Sequence, residues 1–163
     1  MKAKLIVNGK ELEVEISEEE FKKIEGKKTG YERIYVEEIC YFVDESGYVN
    51  AKQEFDDSFD DGVYNAANYY SAETVAKNNA RADNLMRKLR RFAVEHREGE
   101  NDYCQGVYEI AYNYDDNELM VEEVLSYKYL GAIPFDTYKT AEVAIKIFRD
   151  ELVWYFTEYK DSL

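Results

Sequence analysis

The segment YYSAETVAKNNARADNLMRKLRRFAVEHR, which runs from Tyr69 to Arg97, is the longest stretch of the chain with a helical period. Ser71 is a suitable N-cap, because its hydroxyl can accept hydrogen bonds from backbone N–H groups of the first turn. Apolar residues then recur at spacings of three, four and seven, which predicts a long helix with one packed face. These residues are Val75, Ala82, Leu85, Met86, Leu89, Phe92 and Ala93.

The basic residues of the chain are concentrated towards the end of this segment. Between Lys77 and Arg97, seven basic residues stand against Asp83 and Glu95, which gives a net charge of +5. Since the whole chain carries −14, the rest of it carries −19. Such cations suit the dipole of a helix end, and they can bind phosphates or pair with carboxylates of the same fold or of a symmetric dimer. The residues of this basic patch are Arg87, Lys88, Arg90 and Arg91.

The overall composition is that of a folded and strongly acidic protein. The chain has 163 residues, enough for one compact domain, and a hydrophobic content of 45% argues against global disorder. The charge is expected to keep the protein away from nucleic acid and anionic membranes and to attract basic partners. The sequence shows neither a signal peptide nor an apolar run of the roughly 20 residues that a membrane helix needs. We therefore predict a cytoplasmic protein in which Cys40 and Cys104 are reduced.

Residues 1–30 predict a β-hairpin followed by a short helix. Asn8-Gly9 is the strongest two-residue hairpin signal, because both turn positions need a positive φ. In the second strand, apolar residues alternate with carboxylates, so one face of that strand is acidic. The carboxylates are Glu11, Glu13 and Glu15. The residues from Ser17 to Glu20 form a capping-box pattern that opens the short helix.

Residues 31–163 predict the main body of the protein, which is built from aromatic strands and two long helices. Thr137 is expected to cap the second long helix, which runs from Tyr138 to about Tyr159. Turn residues at Asp44–Gly47 and Asp115–Asn117 predict hairpin loops. The predicted strands are Arg33–Val43 with a bulge near Glu37, Tyr48–Glu54, Tyr103–Tyr114 and Glu118–Tyr129.

The fold class predicted from these elements is α+β, with antiparallel sheets and two long amphipathic helices in one compact domain. Residues 31–97 and 103–163 each read as strand, strand and helix, which indicates an internal repeat. Equivalent positions such as Ser71 and Thr137 are separated by 66 residues. Chance agreement between two amphipathic helices explains the same pattern and stays open as the alternative.

An opening strand pair with the string ISEEEF is followed by two helical segments, YYSAETVAKNNARADNLMRKLR and FDTYKTAEVAIKIFRDELVWYFTEY. In these segments the chain resembles small accessory proteins of phages and prophages of Gram-positive bacteria. In that group an aromatic strand leads into a capped helix that ends in a Phe-x-Asp-Glu-Leu string, here Phe148–Leu152. The resemblance rests on packing residues and implies no catalytic motif. It implies a phage product in the bacterial host cytoplasm, of the kind that inhibits host defence systems as anti-CRISPR proteins do.

The sequence offers little support for catalysis or for a cofactor. His96 is the sole histidine, and neither a zinc motif nor a phosphate-binding glycine loop is present. The acidic window FDDSFDDG (Phe55–Gly62) has carboxylates at the alternate spacing of a calcium loop. However, Asp61 occupies the position that needs glycine, and Ala67 the position that needs glutamate. We therefore predict a solvated acidic loop, no metal and no enzyme activity.

The leading functional hypothesis is a phage accessory protein that binds and inhibits a nucleic-acid-acting host protein. Its carboxylates would imitate a phosphate backbone, and tyrosines would anchor the contact. The predicted contact residues are Glu11, Glu13, Glu15, Asp56, Asp57, Asp60 and Asp61, with the aromatic residues Tyr69, Tyr70, Tyr108 and Tyr112. Two alternatives remain. One is a protein that sequesters a nucleotide on Arg87, Arg90 and Arg91, and the other is a structural phage component. A homodimer is expected under all three hypotheses.

Overall fold

The computed structural model describes residues 2–7, 10–15, 17, 28–97, 107–124 and 131–160. Its strands pair into three antiparallel two-stranded sheets, and three helices accompany them, which confirms the α+β class. The elements in chain order are β1 (Lys2–Val7), β2 (Lys10–Glu15), β3 (Ile39–Val43), β4 (Val49–Gln53), α1 (Ser58–Asn65), α2 (Glu73–Glu95), β5 (Val107–Asn113), β6 (Glu118–Val124) and α3 (Tyr138–Thr157).

The first hairpin has the register that Asn8-Gly9 predicts. β1 pairs with β2 so that Val7 lies opposite Lys10, which leaves a two-residue connection between the strands. The short helix predicted after Ser17 falls outside the described residues.

The second hairpin, formed by β3 and β4, is shorter than predicted. The predicted strand from Arg33 is wrong up to residue 38, because the chain turns at Glu37, whose φ is +79°. The Glu38 amide closes this turn on the Tyr35 carbonyl at 3.1 Å. The loop at Asp44–Gly47 is confirmed, since Asp44 Oδ1 accepts from the amides of Ser46 and Tyr48.

The acidic window does not form the predicted loop, because it contains the first turns of α1. Asp57 is the N-cap of this helix, and its side chain accepts from the amides of Phe59 and Asp60. The Asp60 side chain reaches back to the Asp57 amide, which completes a capping box. Two aspartates three residues apart therefore satisfy the backbone donors of a helix terminus here.

The central helix α2 is present as predicted, but it begins after Ala72 and Ser71 is not its cap. The Ser71 hydroxyl instead donates to Glu32 Oε2 at 2.9 Å. The N-terminal half of α2 buries Val75 and Ala76 against the β3–β4 hairpin. Its C-terminal half enters a larger core made with α3 and the β5–β6 hairpin, to which it contributes Leu85, Leu89 and Phe92.

The last helix, α3, confirms the predicted cap and departs only slightly from the predicted end. Thr137 Oγ1 accepts from the Thr140 amide at 3.1 Å. The helix ends at Thr157, and non-helical angles at Phe148 mark a kink within it.

Each of the hairpins β3–β4 and β5–β6 is bonded to the residue that stands three positions before the long helix of its unit. Tyr41 of β3 exchanges two backbone hydrogen bonds of 2.9 Å with Tyr70, and Tyr108 of β5 does the same with Phe135 at 2.9 and 2.8 Å. Tyr70 precedes α2 as Phe135 precedes α3, so the two units correspond at a spacing of 65 residues, one less than the sequence pattern gave.

Candidate interaction surface around helix α1

Two buried carboxylates lie at the start of the acidic window and within it: Glu54, which directly precedes the window, and Asp60. Glu54 follows directly after β4, and Asp60 sits in the first turn of α1. Their exposed fractions are 1% and 0%. Charged groups at such depth require partners, because desolvation of an isolated carboxylate is costly.

Arg33 neutralises one side of this cluster and joins three carboxylates. Its Nη2 lies 3.0 Å from Glu54 Oε1 and 2.9 Å from Asp56 Oδ1, and its Nη1 lies 2.6 Å from Asp61 Oδ1. The hydrogen bonds to Asp61 and Glu54 raise the pKa of Arg33 further above its usual value. One guanidinium thus fixes side chains from β4's end, from the loop and from α1.

Lys52 performs the same task on the other side. Its Nζ donates to Asp60 Oδ1 at 2.6 Å and lies 3.2 Å from Asp57 Oδ2. Burial acts to raise the pKa of Asp60, but the bonds from Lys52 and from the Phe55 and Asp57 amides outweigh it and leave the pKa lowered. Asp60 is therefore ionised inside the protein, and it ties β4 to α1.

Tyr69 is the third side chain that donates a hydrogen bond to the two buried carboxylates, after Arg33 and Lys52. Its hydroxyl donates to Glu54 Oε2 at 2.6 Å and accepts from the Ile34 amide at 3.3 Å. Burial and the bond to Glu54 raise the pKa of Tyr69 far above its usual value. Cys40 lies beside the network, donates to the Lys52 carbonyl at 3.3 Å, and has a raised pKa because it is desolvated. Its thiol is held protonated, which makes it a poor nucleophile.

Ligand atoms of Cys40, Glu54 and Asp60 all lie within 4.8 Å of one another, a grouping that invites comparison with a metal site. However, all four carboxylate oxygens already accept hydrogen bonds from protein donors. Two cations, Arg33 and Lys52, balance the two buried anions. The cluster is therefore interpreted as a neutral ion-pair network that shapes the surface above it.

Outward from this network lies a surface of exposed carboxylates and aromatic rings, here called the α1 surface. Lys52 lies over the rings of Phe59 and Phe55, at 4.8 and 5.6 Å from their centroids, so the two rings are neighbours. Arg33 lies 5.6 Å from the centroid of Tyr64. The exposed members of the α1 surface are Phe55, Asp56, Asp57, Phe59, Asp61 and Tyr64.

The charge of the α1 surface is negative even after its internal pairs are counted. Five carboxylates, of Glu54, Asp56, Asp57, Asp60 and Asp61, stand against the two cations of Arg33 and Lys52, which leaves −3. The exposed side-chain fractions of Asp56, Asp57 and Asp61 are 71%, 47% and 56%, so the excess charge faces solvent.

Several predicted contact residues are not at this surface. The prediction that Asp60 contacts a partner is wrong, because its side chain is buried and hydrogen-bonded to Lys52 inside the network. Tyr69 and Tyr70 are wrong as exposed anchors, with exposed fractions of 2% and 5%. Tyr70 packs on Val75 and Ala76, and its burial raises its pKa to about 12.

The remaining predicted contact residues lie on other elements. Tyr108 and Tyr112 are half-buried on β5, where their rings pack on Tyr138 and Phe156. Glu15 is exposed at the end of β2, whereas the side chains of Glu11 and Glu13 lie outside the described residues. The predicted contact residues therefore lie in three separate regions of the chain. Of these residues, the structure brings together only the aspartates near α1.

The predicted basic patch is exposed along α2. Arg91 lies 3.8 Å from Glu95 as a loose ion pair within the helix. Arg87 reaches the β3–β4 loop, where a Cβ at Gly47 would lie 3.3 Å from its Nη2. In the part of the chain that the structure describes, Arg87, Lys88 and Arg90 form no ion pair.

Sequence reasoning missed the three residues that organise the α1 surface: Arg33, Lys52 and Glu54. A signal was present, because Arg33 and Lys52 are the sole basic residues between positions 29 and 76, a stretch that includes the acidic window. Their partners, however, are up to 28 residues away along the chain, which a local pattern does not connect.

The chain matches no protein-family model, no curated protein and no solved structure. None of the helices within the described ranges combines the length and the apolar character that a bilayer crossing requires. The resemblance to phage accessory proteins stays a prediction.

Proposed function

We propose that this protein is a non-enzymatic accessory protein of phage or prophage origin, which acts in the bacterial cytoplasm by binding and inhibiting a host protein that acts on nucleic acid. The observation that carries the proposal is the α1 surface, where exposed carboxylates stand beside exposed aromatic rings. Such a surface complements a basic groove that has evolved to hold phosphates.

The carboxylates of the α1 surface are held in position before any partner arrives. Arg33 fixes Asp56 and Asp61, while Asp57 is fixed by its capping bonds and by Lys52. A partner therefore does not have to immobilise these side chains, which lowers the entropic cost of association. Spaced and rigid negative charges are also what imitation of a phosphate backbone requires.

The aromatic rings supply the apolar part of the contact. Phe55 and Phe59 have exposed fractions of 56% and 47%, although large apolar side chains are usually buried. Aromatic residues are enriched at the centres of protein interfaces, and polar groups surround them at the rim. Because the titratable groups of the buried network are engaged in fixed pairs, we propose binding rather than catalysis.

The proposal is tested with two double variants of equal charge change. D56N/D61N removes two of the three excess negative charges of the α1 surface, and E118Q/E123Q removes the charges of two exposed carboxylates of β6 as the matched control. Each protein is used in a pull-down from lysate of a Gram-positive host at low and high salt, with mass spectrometry of the bound fraction. The captured enzyme is then assayed for nucleic-acid binding.

We expect a nucleic-acid-acting enzyme to be retained at low salt by the wild type and by E118Q/E123Q, to be lost with D56N/D61N, and to be released by added duplex DNA. Salt shortens the range of the attraction, so retention should fall as salt rises. Equal capture by both double variants, or capture that DNA does not compete with, contradicts the proposal.

A further inference from the structure

A cleft of about 440 Å³ lies between the β3–β4 loop, the middle of α2 and α3. The wall that α2 contributes to the cleft is basic, although the protein as a whole carries a net charge of −14. The residues that matter for its chemistry are Tyr48, Lys77, Arg81, Asn84, Lys88 and Glu151. Volumes of this size are ordinary for small-molecule sites, which span roughly 300–1,000 Å³.

The basic wall follows from helical geometry. Lys77, Arg81, Asn84 and Lys88 are separated by four, three and four residues, so they share one face of α2. From Lys77 to Lys88 this face extends about 16 Å along the helix axis at 1.5 Å per residue. The cations are thus arranged as a row, which suits a chain of phosphates better than a single small anion.

Arg81 is fixed in the middle of this row. Its guanidinium stacks over Trp154 at 3.9 Å from the ring centroid and donates to both carboxylate oxygens of Glu151, at 2.8 and 3.2 Å. Its Nη1 makes no hydrogen bond to any residue that the structure describes. The side chain is therefore oriented by two neighbours while some of its donors remain for a ligand.

The other cations of the wall leave a positive excess. Lys88 has no carboxylate within 4.0 Å among the described residues, and Lys77 has only the exposed Glu73 at 2.8 Å. Lys77, Arg81 and Lys88 outnumber Glu151, so the lining carries +2. Among the described residues Lys88 therefore keeps its charge without a carboxylate partner, and the positive excess of the lining favours the binding of an anion.

Tyr48 gives the cleft an aromatic rim. It is 72% exposed at the tip of the β3–β4 hairpin. The tip is held by Asp44, which accepts from the Tyr48 amide at 3.0 Å, and Arg87 lies against the adjacent Gly47. A planar base can stack on a tyrosine in this position, as bases stack on aromatic side chains in nucleic-acid-binding proteins.

We infer that this cleft binds a nucleotide, with its phosphates along Lys77, Arg81 and Lys88 and its base against Tyr48. The inference concerns a site separate from the α1 surface and does not depend on the proposed inhibitory function. It also differs from the nucleotide hypothesis drawn from the sequence, because Arg90 and Arg91 do not line the cleft.

The chain contains its own probe for this site. Trp154 is the sole tryptophan of the protein and lies against Arg81, so its fluorescence should respond when Arg81 engages a phosphate. ATP is titrated into the full-length protein, with fluorescence and calorimetry as independent readouts. Saturable binding that weakens with salt is expected, and the absence of both signals up to millimolar ATP overturns the inference.

Variants on one helix locate the binding. K88A removes a cleft cation and should weaken ATP binding by about tenfold or more, since it removes a charge-assisted hydrogen bond to a phosphate. R90A, on the same helix but outside the cleft, is the matched control and should bind as the wild type does. Equal loss with R90A and K88A would place the anion on the helix end and refute the cleft assignment.

A second pair of measurements tests the base. Tripolyphosphate carries the phosphates without the nucleoside, and we expect it to bind more weakly than ATP. Y48A should reduce the affinity for ATP to that of tripolyphosphate and leave tripolyphosphate binding unchanged. If ATP and tripolyphosphate bind equally to the wild type, the cleft recognises phosphate alone and the nucleotide assignment is wrong.

Discussion

Replacing Tyr69 by phenylalanine tests whether the buried network under the α1 surface contributes to stability. The change removes one hydroxyl and keeps the ring, which is 2% exposed and packs edge-on against Tyr64. Glu54 Oε2 then loses a donor at 2.6 Å, and the Ile34 amide loses an acceptor at 3.3 Å.

The expected loss follows from the charge of the acceptor. A hydrogen bond to an ionised group contributes about 1.5–3 kcal/mol, and Glu54 retains its bonds from Arg33 and from the Asp56 amide. We therefore expect Y69F to lower the free energy of unfolding by about 2 kcal/mol at pH 7. For a domain of this size that corresponds to a fall in Tm of about 4–8 °C.

The same substitution has a pH signature. The pKa of Tyr69 is raised in the folded state, so its contribution is fully present below the unfolded value of about 10 and is lost as pH rises above it. The difference between wild type and Y69F should therefore narrow in alkaline solution. Phenylalanine has no proton to lose, so this part of the wild-type pH profile disappears in the variant.

The measurement is urea unfolding followed by circular dichroism, at neutral pH and at several alkaline values. Y35F is the matched control, because Tyr35 is 83% exposed and the change should stay within about 0.5 kcal/mol of wild type. The reasoning is refuted if Y69F and Y35F are equally stable at pH 7, or if the alkaline profiles of Y69F and wild type run parallel.

Four further substitutions and one titration have definite expected outcomes. G30A should destabilise the protein by about 2 kcal/mol or more in urea unfolding, because φ is +92° and the new Cβ would lie 2.6 Å from Val75 Cγ2. G131A is the control: Gly131 has φ +84°, but beyond its chain neighbours no atom of the described residues lies within 4 Å of the new Cβ, so this substitution should cost only about 1 kcal/mol. A72S should raise the stability by about 0.5–1 kcal/mol, because Ala72 is the N-cap of α2 and provides no side-chain acceptor; an unchanged midpoint of urea unfolding contradicts this. T137A should lose about 1 kcal/mol in the same experiment, since it removes the cap that α3 already has. Hydrogen bonds from the Thr29 amide and other donors outweigh a smaller effect of burial and lower the pKa of Glu32 to about 2. The contribution of Glu32 to stability is therefore present above pH 4.5 and is lost as pH falls towards 2. An NMR titration midpoint above about 4 for this carboxyl group contradicts the prediction.

The features that the sequence predicted well depend on neighbouring residues. Asn8-Gly9 dictates the first hairpin, and Thr137 caps α3, because in each case the chemistry acts over two or three positions. The apolar period from Val75 to Phe92 likewise marks α2, since its spacing reflects the geometry of the helix itself. These elements could be located without knowledge of their surroundings.

The candidate site could not be predicted in the same way. Whether Asp60 faces solvent depends on Lys52 and on the position of α1, and whether Tyr69 is exposed depends on Glu54, fifteen residues before it. Charge alone suggested a solvated loop, although the same aspartates satisfy backbone donors at a helix terminus. Burial is a property of the assembled fold, and no local pattern in this window specifies it.

Because α2 supplies a wall to both hydrophobic cores, neither hairpin unit possesses a complete interior of its own. A fragment that ends after α2 would expose Leu85, Leu89 and Phe92, whose partners come from α3 and β5–β6. A fragment that begins after α2 would lack those same side chains. The two units should therefore unfold together. Their amides should lose protection from hydrogen exchange at the same rate, and a protease cut within α2 should unfold both units.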